Sequence, residues 1–169
     1  RDSSTSRGLG DVYKRQIHDK TLHAIRSGFT LSQFEQAVSD LHKRNIPVIT
    51  HLILGLPGET KEDMLSSVRY VGSLPVTGIK LQLLHILKGT DLGTAYMADP
   101  FPLFTLEEYC DLIADCIALL PPEIVIHRLT GDGPRNLLLA PLWSTDKKRV
   151  LNTIQKCLRE RDLWQGKNI

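Results

Sequence analysis

Gly55-Leu56-Pro57-Gly58-Glu59 closes an apolar run at 46–54 and is the stretch best suited to hold a ligand. Gly55 and Gly58 carry no Cβ, so a flat ring can lie against the main chain and hydrogen-bond to its N–H and C=O groups. Gln82, His85 and Lys88 fall along and just beyond a second apolar run, and His127, Arg128, Thr130 and Asp132 precede bends at Gly131 and Gly133. Amide, imidazole, ammonium and guanidinium groups gathered at one rim can bind and orient a polar substrate. For the last set, an Arg128–Asp132 turn with its own hydrogen bonds reads equally well, because Asp-Gly-Pro is a common turn. Cys110, Cys116 and Cys157 are the only thiols and form no Cys-x-x-Cys pair. Scattered in this way they read as small buried hydrophobes, and Cys110 and Cys116 fall on nearly opposite faces of a helix, which argues against a shared metal.

These side chains need rigid elements beneath them. The run at 46–54 is β-branched, too short for a membrane span and closed by Gly and Pro, the pattern of a strand buried on both faces. Thr60 is a good N-cap with Lys61, Glu62 and Asp63 ahead of Met64, Leu65 and Val68, so a helix follows, reaching about residue 74 before Pro75. A buried parallel strand feeding a helix is an α/β unit, and ligands bind at the carboxyl end of its strand. Ile17, Leu22 and Ile25 predict a helix over 17–27, and Leu31, Phe34, Ala37, Val38 and Leu41 predict another over 30–44. A strand over 79–85 alternates Ile79, Leu81 and Leu83 with Lys80 and Gln82, which places His85 and Lys88 at its carboxyl rim. Residues 92–104 read as a loop with a short helical piece at 95–97. Thr105 caps a helix ending at Pro121, a short strand occupies 123–127, and Trp143 covers the core edge. The tail at 146–161 is an amphipathic helix with Val150, Leu151, Ile154 and Leu158 inward. Its outward Lys147, Lys148, Arg149, Lys156, Arg159 and Arg161 form a solvated face or one able to touch RNA phosphate.

Ile53-x-Gly55-x-Pro57-Gly58-Glu59 resembles the adenine-contacting strand of radical S-adenosylmethionine (SAM) enzymes. The segment 78–92, ending Gly89-Thr90-Asp91-Leu92, resembles the next barrel strand and its exit. Residues 125–134 and Ala140-Pro141-Leu142-Trp143 are similar to the C-terminal extension of the YhcC/YtqA-like branch, related to the Elp3 radical SAM domain. The resemblance implies an α/β fold, the C-terminal part of a partial (β/α)6 TIM-like barrel over 17–104, with a C-terminal helical extension over 105–169. It implies that Ile53, Gly55, Leu56, Pro57 and Gly58 contact the adenine of SAM, while Glu59 fixes the turn. Gln82, His85, Lys88, His127 and Arg128 become the substrate-side residues.

In the family a Cys-x-x-x-Cys-x-x-Cys loop after the first barrel strand holds a [4Fe–4S] cluster. Reduction of SAM there yields a 5′-deoxyadenosyl radical, with flavodoxin or ferredoxin as electron donor. That loop is absent from this sequence. The resemblance therefore implies a C-terminal part whose cluster ligands lie elsewhere, inactive on its own, and a tRNA wobble uridine as substrate. Residues 1–16 show no apolar period and read as a non-native or disordered leader outside the fold. Where the family shows Arg-Gly-His, the chain reads Ser27-Gly28-Phe29, with Arg26 displaced by one position.

With 169 residues and a net charge of +2, the chain is one domain's worth and gives no electrostatic case of its own for nucleic acid. It carries no secretory signal pattern or stretch apolar enough to span a membrane, which predicts a cytoplasmic protein. Two other readings stay open: a SAM- or RNA-binding α/β module without radical chemistry, and an unrelated barrel enzyme.

Overall fold

The structure, a computed structural model, describes residues 13–14, 30–131 and 133–169. The helix expected over 17–27 and the side chain of Asp132 lie outside the described residues. In chain order the elements are β1 (Tyr13–Lys14), α1 (Leu31–Lys43), β2 (Ile49–Leu54), α2 (Lys61–Gly72), β3 (Gly78–Leu83), β4 (Ile86–Leu87), α3 (Asp91–Ala98), α4 (Leu106–Ala118), β5 (Val125–Arg128), β6 (Leu138–Ala140) and α5 (Lys147–Glu160). A single 3₁₀ turn, Leu142–Thr145, leads into α5.

Strands β1, β2, β3 and β5 form a parallel sheet in that order, and β4 pairs antiparallel with β6. Among the described residues the outer strands β1 and β5 do not pair with each other, so the expected barrel segment is an open arc of four strands. Tyr13 and Lys14, in the stretch read as a leader, pair with Thr50 and His51 of β2. β5 belongs to the expected C-terminal extension, yet it joins the sheet of the preceding part.

Local chemistry explains where the helices start. Thr30, Thr60 and Thr105 each close a capping box with the residue three positions on, Gln33, Asp63 and Glu108. At α2 the Thr60 hydroxyl accepts from the Asp63 N–H at 3.2 Å, and Asp63 Oδ2 accepts from the Thr60 N–H at 2.8 Å. Such a cap is worth about 1 kcal/mol and fixes the helix origin beside the end of β2. β2 begins later than the apolar run because Pro47 offers no N–H to a ladder. α3 is longer than the piece expected at 95–97, because the Thr90 hydroxyl caps it, accepting from the Gly93 N–H at 3.0 Å.

One core lies between sheet and helices. Leu52 and Leu54 of β2, Ile79 and Leu81 of β3, Phe34 and Val38 of α1, Val68 and Val71 of α2, and Ile113 and Cys116 of α4 are all fully buried in it. Burying each large aliphatic side chain contributes about 1.5–3 kcal/mol, so this face of β2 and β3 forms the rigid centre, whereas Ile49, Ile53, Lys80 and Gln82 on the other face are only partly buried, short of the burial on both faces that the sequence suggests. α5 adds Val150 and Ile154. Its end is tied to α4 by Arg161, which pairs with Asp115 and stands 3.6 Å from Asp111. Among the described residues no helix is long and apolar enough to cross a membrane.

Candidate functional site: a cleft at the end of β2

After Leu54 the chain leaves the sheet through Gly55, whose φ of +89° is one that side-chain-bearing residues rarely adopt. The Gly55 N–H donates to Met64 Sδ at 3.2 Å, so the first turn of α2 holds the strand exit. Leu56, Pro57, Gly58 and Glu59 then form a β-turn closed by the Glu59 N–H donating to the Leu56 carbonyl at 3.1 Å. Pro57 in the second position and Gly58 at φ +84° in the third make it type II.

The two glycines have different surroundings. A Cβ on Gly55 would come within 3.0 Å of Phe104 Cε2, so the Phe104 ring already covers that face. A Cβ on Gly58 would meet nothing within 4 Å. Bare main chain is therefore presented at Gly58, whereas Gly55 backs onto an aromatic ring. Leu56 is buried beside Leu84 and Ile86, which leaves its main chain rather than its side chain to face a ligand.

The turn and the segment 101–104 border a cleft of about 400 Å³, completed by Glu108 on α4. Glu108 stays below the ordinary glutamate range because the Thr105 backbone N–H, and then the Thr105 hydroxyl, donates to its carboxylate. The cleft thus presents main-chain groups and an ionised carboxylate, which suits a ligand bearing amine and hydroxyl donors and disfavours a phosphate.

A second cavity of about 160 Å³ lies at the end of β3, lined by Ile53, Gln82, Leu83, Leu84, His85, Leu87, Gly131 and Gly133. The His85 ring packs on the two glycines. A Cβ on Gly131 would overlap Nε2 and Cε1, and one on Gly133 would stand 2.8 Å from Nδ1. Ile53 faces this cavity and Gly55 the first, so the end of β2 is a wall between them.

Ile53, Gln82 and His85 are brought together, as are Gly55, Leu56, Pro57 and Gly58. Lys88 is exposed, and its N–H donates to the Leu137 carbonyl at 2.7 Å outside both cavities. Arg128 is in register with Lys80, in the first half of β3. His127 is exposed against Gly78, at the amino end of β3, about 16 Å of strand from Leu83. The sequence reading missed Phe104 and Glu108, for which the aromatic beside the Thr105 cap was a local signal, and named Gly131 and Gly133 only as bends, not as cavity lining.

An aromatic chain links the cleft to the C-terminal part. Phe104 and Tyr109 have ring centroids 6.4 Å apart, and Tyr109 and Trp143 5.7 Å. Trp143 Nε1 donates to the Phe104 carbonyl at 3.0 Å, and the Tyr109 hydroxyl donates to the Leu129 carbonyl at 3.1 Å. Burial first, then the nearby Cys116 and Cys110, pushes the Tyr109 phenol well above its usual range, so it remains a neutral donor.

The family model of the Radical_SAM C-terminal domain matches residues 76–160, half of the chain. The chain belongs to the radical SAM superfamily. Within it the chain is YhcC/YtqA-like: it is 37% identical to uncharacterized protein YtqA of Bacillus subtilis over 89% of this chain and 47% of that protein. It is 35% identical to protein YhcC of Escherichia coli over 85% of this chain and 46% of that protein. The chain spans about half the length of these curated relatives. A tRNA uridine(34) acetyltransferase of Dehalococcoides mccartyi is 26% identical over 88% of this chain and 34% of that protein. The fold matches the archaeal Elp3 of Methanocaldococcus infernus with an N-terminal deletion, at a TM-score of 0.76 and 16% identity, over 89% of this chain and 35% of that one.

The two groups implied by the radical SAM superfamily fit this chain differently. The open main chain at Gly58 and the Glu108 carboxylate suit the nucleoside of SAM. An iron–sulfur cluster finds no set of ligands. The sequence lacks the Cys-x-x-x-Cys-x-x-Cys loop, and among the described residues no three His, Cys, Asp or Glu stand together to hold a metal. Burial, followed by neighbouring charges, pushes the Cys110 and Cys116 thiols up to about 12.

Proposed function

We propose that this chain supplies the nucleoside-holding wall and the substrate-facing cavity of a radical SAM enzyme acting on tRNA. The observation that carries the reading is the turn at the end of β2, which sets the open main chain of Gly58 beside an ionised Glu108 in a cleft of about 400 Å³. SAM joins an adenosine, rich in donors, to a cationic sulfonium, and both properties match a cleft that offers acceptors. When bound, it brings the reductive, hydrogen-abstracting chemistry of the superfamily, and the cluster for that step needs thiolates other than Cys110, Cys116 and Cys157.

The chain's own residues position and exclude water. Pro57 and Gly58 fix the turn, Phe104 seals the back of Gly55, and Leu56 anchors the wall in the smaller apolar cluster. Across the end of β2, Gln82 and His85 offer an amide and an imidazole among Leu83, Leu84 and Leu87. A small apolar cavity with two polar groups can read the hydrogen-bonding edge of one unstacked base. The tRNA assignment is further supported by the relative named as a tRNA uridine(34) acetyltransferase.

Isothermal titration of the chain with SAM and with ATP tests the nucleoside reading. Saturable SAM binding, weaker ATP binding and a loss of about tenfold or more in SAM affinity for Gly58→Val are expected, because a β-branched residue resists φ near +84°. Equal affinity of wild type and Gly58→Val, or a preference for ATP, overturns it. For the intact enzyme, anaerobic formation of 5′-deoxyadenosine by a polypeptide that also carries a three-cysteine loop is the corresponding assay.

A further inference from the structure

We infer that the outward face of α5, extended by Arg135, is the surface on which this protein holds the phosphate backbone of its RNA substrate, an inference that rests on the tRNA reading above. At 3.6 residues per turn Lys148, Arg149, Asn152, Thr153 and Lys156 fall within about 140° of the helix circumference. With Asp146 they line a shallow groove of about 440 Å³. On the other side of Lys148 a groove of about 480 Å³ brings in Arg135, whose Nη2 donates to the Thr145 carbonyl at 2.8 Å. Lys148, Arg149 and Lys156 of one helix and Arg135 from the loop between β5 and β6 thus share one continuous surface, whose second groove Lys147 also lines.

Their charge is not consumed within the chain. Among the described residues Lys148 and Arg149 have no carboxylate partner. Lys156 stands 3.7 Å from Glu160 in an exposed pair that solvent readily opens. Asp146, the carboxylate lining both grooves, serves as the N-cap, its Oδ1 accepting from the Arg149 backbone N–H at 3.0 Å.

Location and composition favour RNA. Trp143 is bonded to the Phe104 carbonyl at the rim of the nucleoside cleft. Lys148 follows five residues later, a span of at most about 18 Å. Gly133, which lines the cavity proposed for the base, is only two residues from Arg135, a span of at most about 7 Å, so a long anionic substrate whose base enters that cavity passes close to this face. Asn152 and Thr153, between the cations, offer amide and hydroxyl groups for phosphate and ribose oxygens. An anionic membrane is the poorer match, because Val150 and Ile154 are buried in the core, and Leu151, expected inward but 42% exposed, is a single side chain rather than an apolar stripe for acyl chains.

The test is fluorescence anisotropy of a labelled, transcribed tRNA titrated with the chain across a salt series. For Lys148→Ala/Arg149→Ala, binding is expected to weaken on the order of tenfold, irrespective of tRNA sequence, and the slope of log K against log salt to fall by about 2. Lys148→Arg/Arg149→Lys, which keeps the charges, is expected to retain the wild-type slope. Tight tRNA binding whose salt slope does not respond to the double alanine variant overturns the assignment of this face. So does Lys148- and Arg149-dependent binding to phosphatidylserine vesicles in preference to tRNA. Absence of any tRNA binding overturns the tRNA reading itself, and the SAM titration decides the nucleoside cleft separately.

Discussion

Phe104 lies so close to Gly55 that a Cβ there would sit 3.0 Å from its Cε2 and 3.1 Å from its Cδ2. One residue on the loop before α4 thus dictates the residue at the exit of β2. Gly55→Ala meets both this ring and an unfavourable φ, and is expected to cost about 2–3 kcal/mol in denaturant unfolding. In a double-mutant cycle with Phe104→Leu the two changes should be less than additive, because the smaller side chain removes the crowding but not the backbone penalty.

Gly58 separates the two causes. It shares the positive φ but faces open space, so Gly58→Ala is expected to cost only about 1 kcal/mol. Denaturation midpoints of the two alanine variants, measured together, check the order.

Thr105 and Glu108 couple the α4 cap to the cleft. Thr105→Ala removes the hydroxyl that accepts from the Glu108 N–H at 3.2 Å and is expected to lower stability by about 1 kcal/mol. The folded Glu108 carboxyl lies below its ordinary value of 4.5, so it binds fewer protons in the folded state. Its contribution is therefore present above that value and lost as pH falls through the folded pKa. Stability of wild type against Glu108→Gln, followed from neutral pH into acid, should show a smaller decline for the variant.

The thiols report the opposite sign. Cys110 and Cys116 rise from 9.0 to about 12, with burial as the largest cause. Between these values the folded state holds more protons than the unfolded one. Stability is thus intact below about pH 9 and declines as pH rises toward 12. Slow labelling by a thiol reagent at pH 8 in native conditions, and fast labelling of all three cysteines in denaturant, is the expected result.

Anaerobic incubation of the chain with iron and sulfide is expected to give no visible charge-transfer absorbance from a thiolate-bound cluster. A stoichiometric cluster on this polypeptide would contradict the ligand argument.

Much of this architecture was legible locally. Thr30, Thr60 and Thr105 mark helix starts because a capping box is complete within four residues. Leu56-Pro57-Gly58-Glu59 spells its own turn, since each position has its conformational reason inside the tetrapeptide. What was hidden depends on chain segments far apart. The β4–β6 pair joins Leu87 to Leu138 in strands too short to announce themselves, and Phe104 reaches Gly55 only after the fold has formed. His127 was assigned to the rim because it ends a strand. β5, however, pairs with only the first half of β3, and such a register offset leaves no mark in sequence.

That offset governs more than one histidine. Once Arg128 has met Lys80, the ladder between β5 and β3 stops, and 81–83 has no strand neighbour on that flank among the described residues. Leu129, Thr130 and Gly131, the last packed on His85, therefore lie outside the sheet's cross-bracing. That side of the cavity is bounded by the packing of His85 on Gly131 and Gly133 rather than by rungs of the ladder.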